Sequence, residues 1–332
     1  MPLFGGKGVN FSPAKDIPAL TGKVIIVTGG NSGLGKQSVL ELARHKPSEI
    51  WLAARSLQKA QAAADDIKSQ VPNAPVKLLE LDLGSLESVQ NAAETFCASS
   101  SRLDILMLNA GIMAHPPSLT RNGYEIQFGT NHVGHALFTK LLLSLLLKTA
   151  ENDPNADARV VCLSSASHRQ APVGGILFDQ LKTKSDQLKT KSDQLKTKSD
   201  QLKTKSEGIS EFSRYGQSKL ANALFALELA RRYPSLKVAS VHPGSIATNL
   251  FEVAATQSLL IRRARTLGSP FLSSVENGVK SQLWAATSKE VASGEYYEPV
   301  GVKGMASKYA KDDDLARELW AWTEKELQSY DN

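Results

Sequence analysis

Short apolar runs alternate with segments of helical periodicity along most of this chain. Lys23-Val24-Ile25-Ile26-Val27-Thr28 is almost wholly apolar and stops at glycines, as a strand buried on both faces would. Residues 33–45 then carry apolar positions at helical spacing. Further strands are predicted over 49–54, 76–81, 103–108, 159–163 and 237–241, with a short candidate at 294–298. Helices are predicted over 57–70, 85–99, 123–149, 213–233, 276–287 and 312–328. Ser85 suits an N-cap, since its hydroxyl can accept from the first free N–H groups. Strand and helix alternating in this way predict a parallel sheet covered by helices on both faces.

That fold class is α/β: one doubly wound domain of the Rossmann type, with about seven strands. The chain has 332 residues, 42% of them hydrophobic, which is ample for one large core. No composition shift marks a second domain, so residues 1–20 read as an extension and 21–332 as the domain. Residues 179–206 are four copies of Asp-Gln-Leu-Lys-Thr-Lys-Ser. They contribute +4 of the net charge of +6, so the basic balance says little about nucleic acid, and none is expected as a partner. Each copy offers one leucine, too narrow a stripe for a coiled-coil seam. The copies are expected to be an exposed, frayed insertion, dispensable for any chemistry.

Two cysteines exclude a disulfide framework, and Cys162, inside an apolar run, reads as a core residue. The six histidines show no ligand spacing, so no metal is expected. Residues 1–20 hold no continuous apolar segment, and none reads as a secretory signal. The most apolar helix, 137–147, is interrupted by Lys140 and Ser144 and is short of the ~20 residues that a membrane span needs. The expectation is a cytoplasmic protein without a transmembrane segment, with peripheral membrane association left open.

The first strand runs into Gly29-x-x-x-Gly33-x-Gly35, where a helix begins. Glycines permit a tight turn and close backbone approach to phosphate, and a helix N-terminus offers free N–H groups. The second strand ends in Ala53-Ala54-Arg55-Ser56, with no acid to hold a ribose 2′-hydroxyl. Arg55 can instead pair with a 2′-phosphate, aided by Ser56 and by Lys36, which favours NADP(H) over NAD(H). The competing reading is a solvated surface arginine. Tyr215 and Lys219 are one helical turn apart and share a face. An ammonium beside a phenol lowers its pKa and fits it for proton exchange near neutral pH. Ser164-Ser165 ends the fifth strand, at the sheet edge where such folds bind ligands, and a hydroxyl there can donate to a substrate oxygen. Asn131 falls mid-helix, against its propensity, between His132 and His135, which read as packing or helix-surface residues.

Together these motifs resemble those of the short-chain dehydrogenase/reductase superfamily, and within it the retinol-dehydrogenase-like group, over about residues 20–300 outside the copies. The resemblance implies a catalytic set of Asn131, Ser165, Tyr215 and Lys219. Tyr215 would be the general acid/base, Ser165 would polarise the carbonyl, Lys219 would hold the nicotinamide ribose, and Asn131 would support a proton relay. Gly29, Ser32, Gly33, Leu34 and Gly35 would cradle the pyrophosphate, and Asp82 with Leu83 would meet the adenine. Asn109, Ala110 and Gly111 would line the adenosine side, and Pro243, Gly244 and Thr248 the nicotinamide end. A homodimer is compatible with the resemblance. The separation of Ser165 from Tyr215 departs from it, because the four copies lie between them.

The substrate is expected between 166–212 and 249–275. The second segment holds Leu250, Phe251, Leu259, Leu260, Ile261, Leu267, Pro270 and Phe271, which read either as a lid over a small lipophilic substrate or as ordinary packing. Such a substrate is expected to be a hydrophobic ketone, aldehyde or alcohol. One rival reading is a non-catalytic NADP(H)-binding protein with the copies as a docking arm. Another is an epimerase or dehydratase, whose first turn has a different glycine spacing from this one.

Overall fold

The computed structural model describes residues 8–151, 157–182, 209–246 and 273–330. Seven parallel strands form one sheet in the order β3-β2-β1-β4-β5-β6-β7. They are β1 (Val24–Thr28), β2 (Glu49–Ala54), β3 (Val76–Glu80), β4 (Ile105–Leu108), β5 (Arg159–Leu163), β6 (Lys237–Val241) and β7 (Tyr296–Tyr297). The helices are α1 (Pro13–Asp16), α2 (Gly33–Ala43), α3 (Leu57–Gln70), α4 (Leu86–Ser99), α5 (Ile126–Glu151), α6 (Glu211–Arg232), α7 (Val275–Thr287) and α8 (Asp313–Leu327). Ser85 caps α4 as expected, accepting from Ser88 N at 3.4 Å.

The sheet divides the core in two. Along β1, Val24 and Ile26 join one cluster and Ile25 and Val27 the other, because successive side chains of a strand point to opposite faces. Helices α4, α5, α6 and α8 cover the first face, and α2, α3 and α7 the second. Every residue of β1, β4 and β5 is buried, which is why their sequences run apolar without alternation. Residues 1–20 are less detached than expected: Phe11, Ile17 and Leu20 are buried in the second cluster. Cys162 is a core residue, as expected.

Two expected elements differ from the structure. Strand β7 keeps two residues, because pairing with β6 extends only over Ser240–Tyr296 and Val241–Tyr297. Helix α5 is not continuous: Ile126–Phe128 is α-helical, Gly129–Val133 is a π-turn, and Gly134–Glu151 returns to α. This helix spans 26 residues and is long and apolar enough to cross a membrane, although its most apolar stretch, 137–147, reads as too short for that. Of its apolar window, 56% is buried in this fold, against the sheet and its neighbours. Most of the four copies (183–206) and most of the expected lid lie outside the described residues.

Between β1 and β4 the strand order reverses, which opens a crevice at the carboxyl ends of the strands. The opposite edge is tied by Asp104. Its buried carboxylate accepts from Val24 N at 2.9 Å, Lys23 Nζ at 3.0 Å and Arg102 Nη2 at 2.6 Å. Burial pushes this carboxyl up, but the hydrogen bonds from Arg102 and Val24 and the Lys23 charge outweigh it and hold it below its ordinary value. A depressed pKa stabilises the fold above the ordinary carboxylate range, and that contribution disappears as pH falls through the folded-state value. Asp104→Asn should therefore cost about 1–3 kcal/mol at neutral pH, with the deficit shrinking below about pH 4. Denaturant melts of both proteins at neutral and acidic pH check this, and a deficit unchanged by acid would contradict it.

Candidate active site

At the crevice the chain leaves β1 through Gly29, with φ +66°, and enters α2 at Gly33, with φ +51°. Gly35 sits where a Cβ would lie 2.2 Å from Gly29 O and 2.6 Å from Asn109 Nδ2. Only glycine permits this approach, and it brings the first turn of α2 against the ends of β1 and β4. Ser32 takes the N-cap position but makes no cap hydrogen bond with its side chain. Its hydroxyl and the first N–H groups of α2 thus remain available to an anion. This cradle fits the pyrophosphate of a dinucleotide, and the surrounding cleft measures about 370 Å³.

The cleft is lined by most of the residues named from sequence: Gly29, Ser32, Gly33, Leu34, Gly35, Arg55, Asp82, Leu83, Asn109, Ala110, Gly111, Tyr215, Lys219 and Pro243. Asn109 is fixed from two sides. Its Nδ2 donates to Thr28 O at 2.8 Å, and its Oδ1 accepts from Gln282 Nε2 at 3.2 Å. Thr248 lies outside the described residues. Lys36 is not at the cleft; its ammonium pairs with Asp66 Oδ2 at 2.8 Å. Lys59, which sequence reasoning missed, lines the cleft with Arg55. Its signal was available: Ser56 caps α3 by accepting from Lys59 N at 3.4 Å, placing Lys59 in the first turn beside Arg55. Arg55 and Lys59 make no ion pair with an acid among the described residues.

Tyr215 and Lys219 project from α6, both buried, at 5% and 4% exposure. Lys219 Nζ donates to Leu163 O at the end of β5, at 2.9 Å, and Asn222 Nδ2 donates to the same carbonyl at 2.9 Å. Ser164 Oγ donates to Lys219 O at 2.7 Å, which binds the helix to β5 a third time. Of the Ser164-Ser165 pair, Ser164 is thereby committed to structure. Ser165 Oγ accepts from Ser167 N at 3.1 Å, leaving its hydroxyl proton free to donate.

Asn131 is fully buried behind Gly111. A Cβ at Gly111 would lie 3.2 Å from Asn131 Oδ1 and 3.3 Å from Lys219 Nζ. The Asn131 amide is wholly used. Nδ2 donates to Ile112 O and Ser218 Oγ, each at 2.9 Å, and Oδ1 accepts from Ile112 N at 2.8 Å. Its backbone carbonyl, inside the π-turn, accepts from His135 Nδ1 at 3.0 Å. His132 and His135 are packing residues, and burial pushes His135 down to about 4 and His132 to about 3.

The expectation that Lys219 lowers the Tyr215 phenol is not met in this chain. Lys219 Nζ lies 5.7 Å from the ring centroid and is directed at Leu163 O. Burial dominates both groups. It pushes Tyr215 up to about 12, with the Ser165 side chain pulling the other way, and brings Lys219 down to about 8.

Known proteins resemble this chain in sequence and fold. A family described as short chain dehydrogenase matches residues 23–177. An uncharacterised oxidoreductase of Schizosaccharomyces pombe is 38% identical, over 93% of this chain and 86% of its own. Human retinol dehydrogenase 13 is 36% identical, over 91% of this chain and 83% of its own. Among solved structures, a Mycobacterium paratuberculosis protein superposes with a TM-score of 0.69 at 30% identity, over 97% and 98% of the two chains. A Shigella flexneri short-chain dehydrogenase complexed with NADP shares the fold, with a TM-score of 0.59 at 19% identity, over 85% and 98%. Identity above a third, sustained along more than nine-tenths of the sequence, places this protein in the short-chain dehydrogenase/reductase family, within its retinol-dehydrogenase-like group.

Proposed function

We propose that the protein is an NADP(H)-dependent oxidoreductase that interconverts an alcohol and a carbonyl on a small lipophilic substrate. The observation that carries this reading is the placement of Tyr215 and Lys219 in the cleft beside the glycine cradle, with the Ser165 side chain in hydrogen-bond reach of the Tyr215 phenol. Bound NADPH would supply the hydride equivalent that reduces the carbonyl carbon. Tyr215 gives its hydroxyl proton to the carbonyl oxygen in reduction and recovers one in oxidation. Ser165 donates to the same oxygen and stabilises the charge that develops there. Lys219, charged below its depressed pKa of about 8, is assigned to hold the nicotinamide ribose. Asn131, whose Oδ1 lies with Lys219 Nζ against Gly111, is assigned to support a proton relay to Lys219. Gly244 and Thr248 are assigned to the nicotinamide end with Pro243.

The choice of NADP(H) rests on Arg55 and Lys59, two cations at the cleft, and on the end of β2, which carries no acid to bind a 2′-hydroxyl. The lipophilic substrate is supported by the retinol dehydrogenase relatives and by the apolar residues of 249–275. The rival of a non-catalytic binder is disfavoured by the free Ser165 hydroxyl beside Tyr215.

Tyr215→Phe removes one oxygen and keeps the ring, so folding and NADPH binding should survive. Turnover should fall roughly 10²–10⁴-fold, the usual contribution of a positioned proton donor. Steady-state rates on a panel of ketones and aldehydes check this, and a phenylalanine variant that works at the normal rate would remove Tyr215 from its role. Separately, fluorescence titration should show NADPH binding roughly ten- to hundredfold more tightly than NADH. Arg55→Asp should reverse that order, and equal affinities in the unmodified protein would sink the cofactor assignment.

A further inference from the structure

Immediately after Ser165 the chain makes a short 3-10 turn, Ala166–Gln170, which the proposed chemistry leaves unused. His168 in this turn is fully buried, edge-on to Tyr296 with ring centroids 4.8 Å apart. Both ring nitrogens are engaged, and by two separate parts of the chain. Nδ1 donates to Ser165 O at 2.7 Å, a carbonyl that also accepts from His168 N at 3.0 Å. Nε2 accepts from Ser307 N at 3.0 Å. A carbonyl only accepts and a backbone N–H only donates, so the neutral ring with its proton on Nδ1 satisfies both partners at once. Burial pushes the ring below its ordinary pKa and favours that neutral form.

The next residue reaches the same segment. The Arg169 guanidinium donates to Glu298 Oε1 at 2.5 Å and to the Met305 carbonyl. Residues 298–307 are thus held near both ends by two consecutive side chains. Their start lies against the nicotinamide end of the cleft, where a Cβ at Gly244 would meet Pro299 Cγ at 3.4 Å. The segment therefore runs from the loop after β6 to the turn that follows Ser165. The turn itself rests on α6: a Cβ at Gly216 would meet Ser167 O at 2.5 Å and Ala171 N at 2.9 Å. With the turn seated on the residue that follows Tyr215, any shift in it displaces the Ser165 hydroxyl relative to the phenol.

We propose that His168 is a positioning residue that fixes Ser165 through one ring nitrogen and, through the other, holds residues 298–307 as a wall of the substrate site. The catalytic half of this inference rests on the reading of Ser165 and Tyr215 given above; the structural half does not.

Two variants separate the two nitrogens. His168→Asn keeps an N–H near the Nδ1 position but is too short to reach Ser307. His168→Gln reaches Ser307 with its amide oxygen and leaves Ser165 O with its backbone donor alone. Each lost hydrogen bond should change its own parameter by about tenfold. The asparagine variant should show KM raised by about that factor with kcat nearly unchanged, and faster amide hydrogen exchange confined to 298–307. The glutamine variant should show kcat lowered by about that factor, with KM and exchange in 298–307 as in the unmodified protein. NADPH affinity should be the same in all three. Equal kinetic effects in both variants, no effect in either, or exchange that rises throughout the sheet would each overturn the assignment. Exchange is read without substrate, so it judges the tie to 298–307 independently of the chemistry. If exchange responds as stated while Tyr215→Phe turns over normally, the general-acid reading fails and the tie stands. If exchange does not respond, the tie fails whatever the kinetics show.

Discussion

The ammonium of Lys219, buried at the end of β5, is the interaction on which the rest of the site depends. A charge out of water needs a partner of fixed geometry, and here it is the Leu163 carbonyl at 2.9 Å. That contact, the Asn222 bond to the same carbonyl and the Ser164 bond to the Lys219 backbone set the rotation of α6 against the sheet. Tyr215, one turn earlier, can then face only the crevice. Desolvation is the cost, and it appears as a pKa lowered to about 8. The lysine is therefore close to neutral pH for a reason that lies in packing rather than in a charged neighbour.

Close backbone approach does the remaining positioning. Gly35 brings α2 onto the ends of β1 and β4, Gly111 lets the β4 loop lie over Asn131 and Lys219, and Gly216 seats the Ser165 turn on α6. At each place the atom that a Cβ would strike belongs to another part of the site, so these three contacts lock separate elements together. The π-turn at Gly129–Val133 adds a different device. Within it, the Asn131 carbonyl accepts from His135, whose other nitrogen meets Thr28 Oγ1 at 2.9 Å. The end of β1 and the π-turn are thereby joined through one neutral imidazole.

Much of this was legible in the sequence, and the parts that were not have common causes. Strands β1, β2, β5 and β6 followed from apolar runs because both of their faces are buried. The cradle and the Tyr215–Lys219 pair followed from spacing, since a turn or a helix fixes which side chains meet. The π-turn did not follow, because its residues keep a helical pattern and only the extra backbone residue per turn distinguishes it. Lys36 was misplaced because nothing in the sequence marks Asp66, a distant residue on α3, as its partner. Lys59 was overlooked although it sits in the first turn after Arg55. His168 was invisible as a tie, because Ser307, which it accepts from, is far along the chain. The phenol was misjudged for a subtler reason: spacing places a lysine near a tyrosine, but burial and the direction of its ammonium decide which effect prevails.

The most direct test of this account is the titration of the Lys219 side chain itself, followed by nitrogen NMR on protein labelled at lysine, with Lys219→Met to assign the signal. A buried ammonium held by Leu163 O should lose its proton near pH 8, well below the ordinary lysine value of 10.5. A midpoint at the ordinary value would mean that the ammonium is solvated, that α6 is not set by its burial, and that the account of the site is wrong.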